Sequence, residues 1–504
     1  MSWPIIIPVV TYLFLMLAIG VWAMRRQSRV KGGGKIAGFY LGGRSLGWFV
    51  LVLTLLASAA SAGTFVGGPG LVYQGGYGWV LVSVWQVPTA FVAFSLLGKR
   101  LAILSRKLDL VTVTDFFKQR YESPPVVAIT SVAIIVLLVA YMVPQFVAGA
   151  RLLQAVSGVN YNVLLVTFAA VVMFYISVGG FLASAVNDAL QAVIMFAGGI
   201  AVWVALLSAA HGLGHVNHQI MQTTPELFTL PGPAGFTLPK IISYSLQLGL
   251  MFCVLPHLAT RAMSYRSSKT VHKAMSVGPI IMVVITLGFL TMGLVAHQFH
   301  PDMKVGDLAL PRTIVDILPD GIAGTILSAP LAAAMSTVDS MILVVSGAIV
   351  RDLYTSFVNP RLTDGAGKRL GSWATVLIGV IVVYLALNPP NYLEYLIIYA
   401  IGGLEVVLFV PMVGGLYSKR GNALGVILAM VAGAGWYVVA NQWVPSLAFG
   451  MFPIASASLL AFLGYVVGSA IGKPPRRDVL VKFWGTQAEI NKLTEVRRPV
   501  PTAS

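Results

Sequence analysis

Charge is scarce in this chain of 504 residues: 10% are Asp, Glu, Lys or Arg, against 57% that are hydrophobic. An average soluble domain carries about 25% charged residues. A soluble core of this size would alternate polar and apolar faces. Here long apolar runs recur between short polar segments along nearly the whole length. That pattern excludes an ordinary soluble protein and makes the bilayer the natural solvent. Cysteine is almost absent. Cys253 stands alone inside an apolar run, so neither an intrachain disulfide nor a cysteine metal cluster can form, and the thiol reads as packed and inert. Also missing are HExxH, Walker and DxD motifs, and any cluster of catalytic acids near one face. The expectation is a protein that is not an enzyme.

What is present is a series of apolar stretches. Runs long enough to cross, roughly 17–25 residues each, fall near 4–24, 46–73, 79–98, 126–155, 161–179, 183–209, 240–260, 275–297, 321–350, 370–388, 393–416, 422–440 and 448–472, thirteen in all. Two carry internal breaks. The second contains Ala62, Gly63, Gly67, Gly68, Pro69 and Gly70, and the ninth contains Pro330 followed by small residues.

The net charge of +16 would point to nucleic acid in a soluble protein, but its placement gives a better reading. No Lys or Arg precedes the first span, and Arg25, Arg26, Arg29, Lys31, Lys35 and Arg44 follow it, the reverse of a cleaved signal peptide. This predicts an N-terminus outside, and the 25–45 loop and the C-terminus in the cytoplasm. Alternating from there puts 29 of the 33 basic residues inside and leaves Arg151, Lys240, Lys304 and Arg312 outside. The charge therefore orients a multi-pass protein of the cell membrane. Anionic lipids are its expected partner, with no nucleic acid and no obligate protein partner. Organisation along the chain follows: 1–45, first helix and basic loop; 46–211, a first helical unit; 212–238, an external loop; 239–417, a second unit; 418–472, two peripheral helices; 473–504, a basic tail. His211, His215 and His218 lie near the external loop without a nearby acid or uniform helical spacing, and read as solvated.

Three acids, Asp188, Asp339 and Glu405, fall within spans, and the others lie in loops, tails or span ends. An ionisable group at membrane depth needs a partner, a water-filled cavity or an ion. The glycine-rich break at 61–70 frees backbone groups, which survive in lipid only where they line a cavity or bind something. Freed carbonyls suit a dehydrated Na⁺, and the resumed half-helix presents an N-terminus suited to an anion. Ser336 and Thr337, with the Ala333 carbonyl one turn earlier, make half of an alkali-ion cage that needs a second element to complete it.

Several segments together resemble the sodium/solute symporter family. They are LGGRSLG at 41–47 leading into SAGTFVGGPG, GGFLASAVNDALQ at 179–191, LPHLATRAMSY at 255–265, APLAAAMSTVDS at 329–340, and AIGGLEVVLFVPMVGGLYSKR at 400–420. The resemblance runs from the first span to the thirteenth. It implies an all-α membrane fold with a LeuT-type core: two inverted five-helix repeats, the second to sixth and seventh to eleventh spans, within about 13 transmembrane helices. It also implies a Na⁺ site of the Ala57, Ala60 and Ala333 carbonyls with the Ser336 and Thr337 hydroxyls. Asp188 matches the family's acid implicated in ion release or a second ion site, and Asp339 is a further candidate for ion coupling. GGPG, VPQFVAGARLL, ASAVNDALQ and GGLEVV are more similar to the pantothenate-carrying branch than to the proline or sugar branches. Ala59 stands where the proline branch has an acid.

The expected function is therefore Na⁺-coupled uptake of a small organic solute by alternating access, with pantothenate as the implied cargo. Alternatives are Na⁺ or proton symport of another small carboxylate or of an amino acid such as proline. Polar candidates for solute contact are Ser61, Thr64, Gln86 and Gln145, with Phe65 and Trp85 as apolar walls or as ordinary packing. Arg151 could attract an anion from outside, or could be a helix-end charge at the interface.

Overall fold

A computed structural model describes residues 3–27, 53–54, 57–58, 60–93, 97–263, 268–389, 393–444, 450–486 and 489. Every regular element among them is helical. This is what a bilayer demands of an apolar chain, because a helix satisfies its own amides and carbonyls without water.

Helix α1 spans Trp3–Gln27. The next span is interrupted: helical at 57–58, bent at Ala60, wound as a wide π turn over Gly63–Gly67, and resumed as α2, Gly68–Gly75. Then follow α3 (Tyr77–Ala93), α4 (Lys99–Lys107), α5 (Val113–Tyr121), α6 (Pro124–Ser157), α7 (Tyr161–Ala209) and α8 (Leu213–Thr223). The second half comprises α9 (Leu238–Val254), α10 (Pro256–Met263), α11 (Ser268–Phe299), α12 (Ala309–Ile317), α13 (Asp320–Gly347, extended by a π segment to Val358), α14 (Asp364–Ala386) and α15 (Leu393–Tyr417). Last come α16 (Ala423–Gln442), α17 (Pro453–Ile471) and a short α18 (Arg477–Trp484). The start of α5 is a capping box, in which Thr112 and Asp115 satisfy each other's amides.

Nine helices among the described residues are long and apolar enough to cross a membrane. One of them, α7, has 49 residues. At 1.5 Å per residue it would measure about 74 Å, more than twice the roughly 30 Å of a hydrocarbon core. Its direction breaks at Gly180 (φ 53°, ψ −148°), where a side chain would be strained, so it holds both the fifth and the sixth expected spans. The positions of the second, third and eighth expected spans are taken by the 57–75 stretch, α3 and α11.

One expected break is corrected. Pro330 lies inside a continuous α13 and does not interrupt it. The second half is broken instead at Leu255 (φ −64°, ψ 115°), directly before Pro256. The ring of a proline disfavours the helical conformation of the residue before it, and Leu255 is extended for that reason. The first helix of each half is thus interrupted. The expected external loop also contains structure of its own, since α8 buries Val216 and Ile220 on one face.

At the centre stands α13. The most apolar 18-residue window of its span is 89% buried, against 28% for α1. It packs on α1, α6 and α7. Small residues permit the approach: at Gly324 the backbone of Ile5 sits where a Cβ would be.

Candidate cation junction and solute cavity

The break at 61–67 leaves amides that an intact helix would have satisfied, and side chains catch them. Ala62 N–H donates to Gln145 Oε1 (2.9 Å) and Gly63 N–H to Ser61 Oγ (3.1 Å). Thr64 N–H donates to the Ser61 carbonyl (3.0 Å). Gln145 is fully buried and follows Pro144 within α6. Its Oε1 thereby engages a freed amide of the break, and its Nε2 has no partner among the described residues.

Just before this break lies an oxygen cluster shared with α13. Ser336 Oγ donates to the Ala57 carbonyl at 2.7 Å, joining positions 279 residues apart. The same hydroxyl lies 3.1 Å from the Ala333 carbonyl, and Thr337 Oγ1 lies 3.0 Å from it. Four of the five expected ion ligands, Ala57, Ala333, Ser336 and Thr337, therefore meet in one buried place. Ala60 is buried in the bend three residues further on. Rotation of the two hydroxyls would turn their lone pairs toward the space they share with the carbonyls.

Behind the junction is a second polar layer. Asp188 and Asp339 are both fully buried, and Tyr175 donates its hydroxyl to Asp339 Oδ2 (3.3 Å). Both carboxyls lie within electrostatic reach of Tyr12 and Tyr175, and Gln191 Nε2 donates to the Tyr12 hydroxyl (3.0 Å). The two acids expected in ion coupling thus act on the same pair of tyrosines. Glu405, also buried, faces Tyr437 on α16.

On the other side of the break is a cavity of about 40 Å³. Its polar wall comprises Ser61, Thr64, Ser83, Tyr141, Thr286 and Glu394, and its apolar wall includes Trp79, Leu248, Met251 and Ile401. Ser61 and Thr64, two of the candidates for solute contact, thus line this cavity. Phe65 is buried and packs on Phe289, with ring centroids 4.3 Å apart, and does not line this space. Trp85 is 60% exposed on α3. The side chains of Gln86 and Cys253 lie outside the described residues, as does Ala59.

Three residues beside the first break were not singled out from sequence as a group. Glu394, in the first turn of α15, is buried and presses on the break: its Oε2 lies 2.8 Å from where a Cβ on Gly67 would be. That oxygen has no hydrogen-bond partner among the described residues. Asp307 accepts from Leu393 N–H (2.8 Å) and pairs with Arg151 (3.4 Å), tying α6, the α11–α12 connection and α15 together. Arg151 is thus a buried ion-pair partner, neither free at the surface nor simply a helix-end charge. Asp307 lies outside the spans, and burial pushes its carboxyl up to about 7, against the lowering effects of Leu393 N–H and Arg151. Of the three, sequence reading raised only Arg151; Glu394 carries a signal that went unused, an acid set among apolar residues at a span start.

A second cavity, of about 30 Å³, lies at the other break. Pro256, His257, Thr260, Thr112, Ser340 and Asp352 line it, and Thr112 donates to Asp352 Oδ1 (3.0 Å).

A helical membrane protein with the first helix of each half interrupted, and an oxygen cluster and small cavity beside one break, has the construction of a secondary transporter. Residues 39–433 match the sodium:solute symporter family, and the chain belongs to that family. It is 36% identical over 485 residues to the sodium/pantothenate symporter of Escherichia coli K12, covering 95% of this chain and 99% of that one. It is 32% identical over 479 residues to the sodium/pantothenate symporter of Haemophilus influenzae, covering 94% and 97%. A solved substrate-bound, outward-open Na⁺-coupled sialic acid symporter superposes with a TM-score of 0.78 at 17% identity, covering 94% of this chain and 99% of that one. The likeness shows a shared fold, the LeuT-type arrangement expected from sequence. The chain is a multi-pass Na⁺-coupled symporter of a small organic solute, and not an enzyme.

Proposed function

We propose that this symporter takes up pantothenate, with Na⁺ as the driving ion bound between the broken helix and α13. The observation that carries the reading is the 2.7 Å contact between Ser336 Oγ and the Ala57 carbonyl, which joins the two elements at an oxygen cluster suited to an alkali cation. In this reading the Ala57, Ala60 and Ala333 carbonyls and the Ser336 and Thr337 hydroxyls hold the ion. Asp188 and Asp339 receive it on the way inward. The cargo assignment is supported by the two pantothenate-carrying relatives. It is also supported by the hydroxyl-rich wall of Ser61, Thr64, Ser83, Tyr141 and Thr286, which matches a solute bearing hydroxyls and an amide. Gln145 acts on the backbone of the break, Phe65 packs behind it, and Trp85 faces away from the solute path.

A cavity of about 40 Å³ has room for about one water, so the solute enters only as the walls part. The two repeats, 46–211 and 239–417, would rock about the junction, and Na⁺ binding would favour the state open to the outside. Each positive charge carried inward gains about 2.3 kcal/mol per 100 mV. We further infer an external N-terminus and a cytoplasmic C-terminus, with anionic lipid at the basic face. Supporting this, Lys99, Arg100, Arg106, Lys107, Lys118 and Arg120 belong to the two short helices between the third and fourth spans.

The test is uptake of radiolabelled pantothenate into proteoliposomes holding the purified chain. Accumulation driven by an inward Na⁺ gradient is expected. Equal accumulation under a pH gradient in Na⁺-free buffer would overturn the choice of ion. Na⁺-driven uptake of proline with none of pantothenate would overturn the cargo.

A further inference from the structure

The short helix α18 (RDVLVKFW) lies against α4 and α5, the two helices between the third and fourth spans. Val479 and Phe483 are four residues apart, share one face, and are both buried. Phe483 meets Phe116 of α5 edge to face, with ring centroids 5.8 Å apart. Trp484 lies over the guanidinium of Arg120, 5.2 Å from the ring centroid. On the polar side, Arg476 Nη1 and Lys482 Nζ stand 3.6 and 3.8 Å from the carboxylate of Glu122, which follows α5. Just past α18, the Gly485 carbonyl accepts from Lys107 Nζ of α4 (2.7 Å). The link 472–476 from α17 contains Pro474 and Pro475, so the helix hangs on a stiff tether.

The same α5 walls the cavity at the second break. Val111 to Thr114, where α5 begins, line it, and Thr112 holds Asp352. Asp115 pairs with Arg351 Nη2 (3.2 Å), and Lys118 Nζ donates to Ser356 Oγ (3.0 Å). Arg351, Asp352 and Ser356 all belong to the π segment that extends α13. Arg120 Nε and Nη2 donate to the Gly415 and Ser418 carbonyls at the end of α15 (3.0 and 2.7 Å). Phe116 and Arg120, one turn apart, make the face under α18, while Asp115 and Lys118 lie round the helix toward α13. A movement of α5 away from this cavity would have to part the aromatic contacts with α18 or drag α18 along against its tether. Neither the oxygen cluster nor either cavity includes a residue of α18.

We propose that α18 is a strap that holds α5 over the second break, and so biases the carrier toward the state in which that passage is shut. The proposal deepens the alternating-access reading above and rests on it, taking the second cavity as part of the exit path.

The test uses the full chain with Cys253→Ser and Ser340→Cys as parent. It carries a single thiol, in the wall of the second cavity at a position 4% exposed. The purified protein in detergent is reacted with a water-soluble maleimide, and the labelling rate is read from intact mass. The direction of membrane insertion plays no part. The thiol reacts when the passage opens, so the rate follows the open population. Phe483→Ala with Trp484→Ala is expected to speed labelling about tenfold, within the usual range for coupled sites. A second handle leaves the aromatic contacts intact. Lys482→Glu should speed labelling about twofold, the scale of a surface ion pair, and adding Glu122→Lys should bring the rate back toward that of the parent. Equal rates in parent and aromatic variant, with the thiol reacting in both, would overturn the strap and leave the exit path standing. Faster labelling in the aromatic variant that the charge pair neither reproduces nor reverses would mean general loosening, and the strap falls. A thiol that stays unreactive in every chain at saturating reagent would remove the exit path and the strap with it.

Discussion

The break at 61–67 and the break at Leu255–Pro256 stand at equivalent places in the two halves, but different chemistry makes them. The first is spread over a glycine-rich π turn, and Gln145 and Ser61 hold its freed amides. The second is a single extended residue set by proline, with helix resuming at once. Each adjoins a small cavity, about 40 and 30 Å³, and each cavity has one buried carboxyl in its wall. Asp352, at the second, accepts from Thr112 (3.0 Å). Glu394, at the first, keeps an oxygen without a partner among the described residues. The carboxyl at the first break thus has an oxygen to offer an incoming group, while the carboxyl at the second is already engaged by Thr112. On the function proposed above, the first would be a binding break and the second a passage that opens and shuts.

This contrast can be broken at several points. The largest effect is expected at the junction of the first break with α13. Replacing Ser336 and Thr337 together by Ala would remove the two proposed hydroxyl contacts to the ion, each worth about 1.5–3 kcal/mol, so Na⁺-stimulated uptake should fall at least about a hundredfold. Unchanged Na⁺ dependence in a folded variant would dissolve the assignment. Next, Glu394→Gln should raise the KM for solute about tenfold, the scale of one charged hydrogen bond, with little change in Na⁺ affinity. Asp352→Asn should leave external KM alone and lower turnover. If the two variants behaved alike, the distinction between a binding break and a passage break would be lost.

A smaller effect concerns Asp307, whose buried carboxyl is pushed up to about 7. The folded chain binds this proton more tightly than the unfolded chain. The resulting stability is fully present below about pH 4 and is lost as pH rises through about 7. Between about pH 5 and 8 the thermal midpoint should fall by at least about 2 °C, and Asp307→Asn should flatten that slope. A slope that persists in Asp307→Asn would assign it to another group. The smallest effect is expected at Trp85, 60% exposed on α3. Trp85→Ala should keep uptake within about twofold, as surface changes usually do, and a loss beyond tenfold would return it to the solute path.

Which features could be read from the sequence follows from how each signals itself. Apolar runs set the spans, and a cluster of Gly63, Gly67, Gly68 and Gly70 in one of them marks a break because the composition is local. Ser336 and Thr337 stood out as a hydroxyl pair, but Ala57 and Ala60 would act through carbonyls that every residue has, and only the family resemblance pointed to them. Pro330 misled because a proline inside an apolar run reads as an interruption, while α13 is supported on several sides and runs through it. Leu255–Pro256 was overlooked because a single extended residue barely disturbs the apolar pattern. The Asp307, Arg151 and Glu394 group was hidden for another reason. Each sits at a span end or in a connection, where charge is unremarkable, and only the folding of three distant segments onto one rim buries them together.

Gly180 carries a mechanical corollary. Two membrane-crossing rods are joined there through one residue, with no slack between them. Whatever angle separates the rods is set by a single pair of dihedrals, so a tilt of the upstream rod must reach the downstream one, which bears Asp188, without being absorbed on the way. A short flexible insertion at that point would keep both rods intact and uncouple their movement.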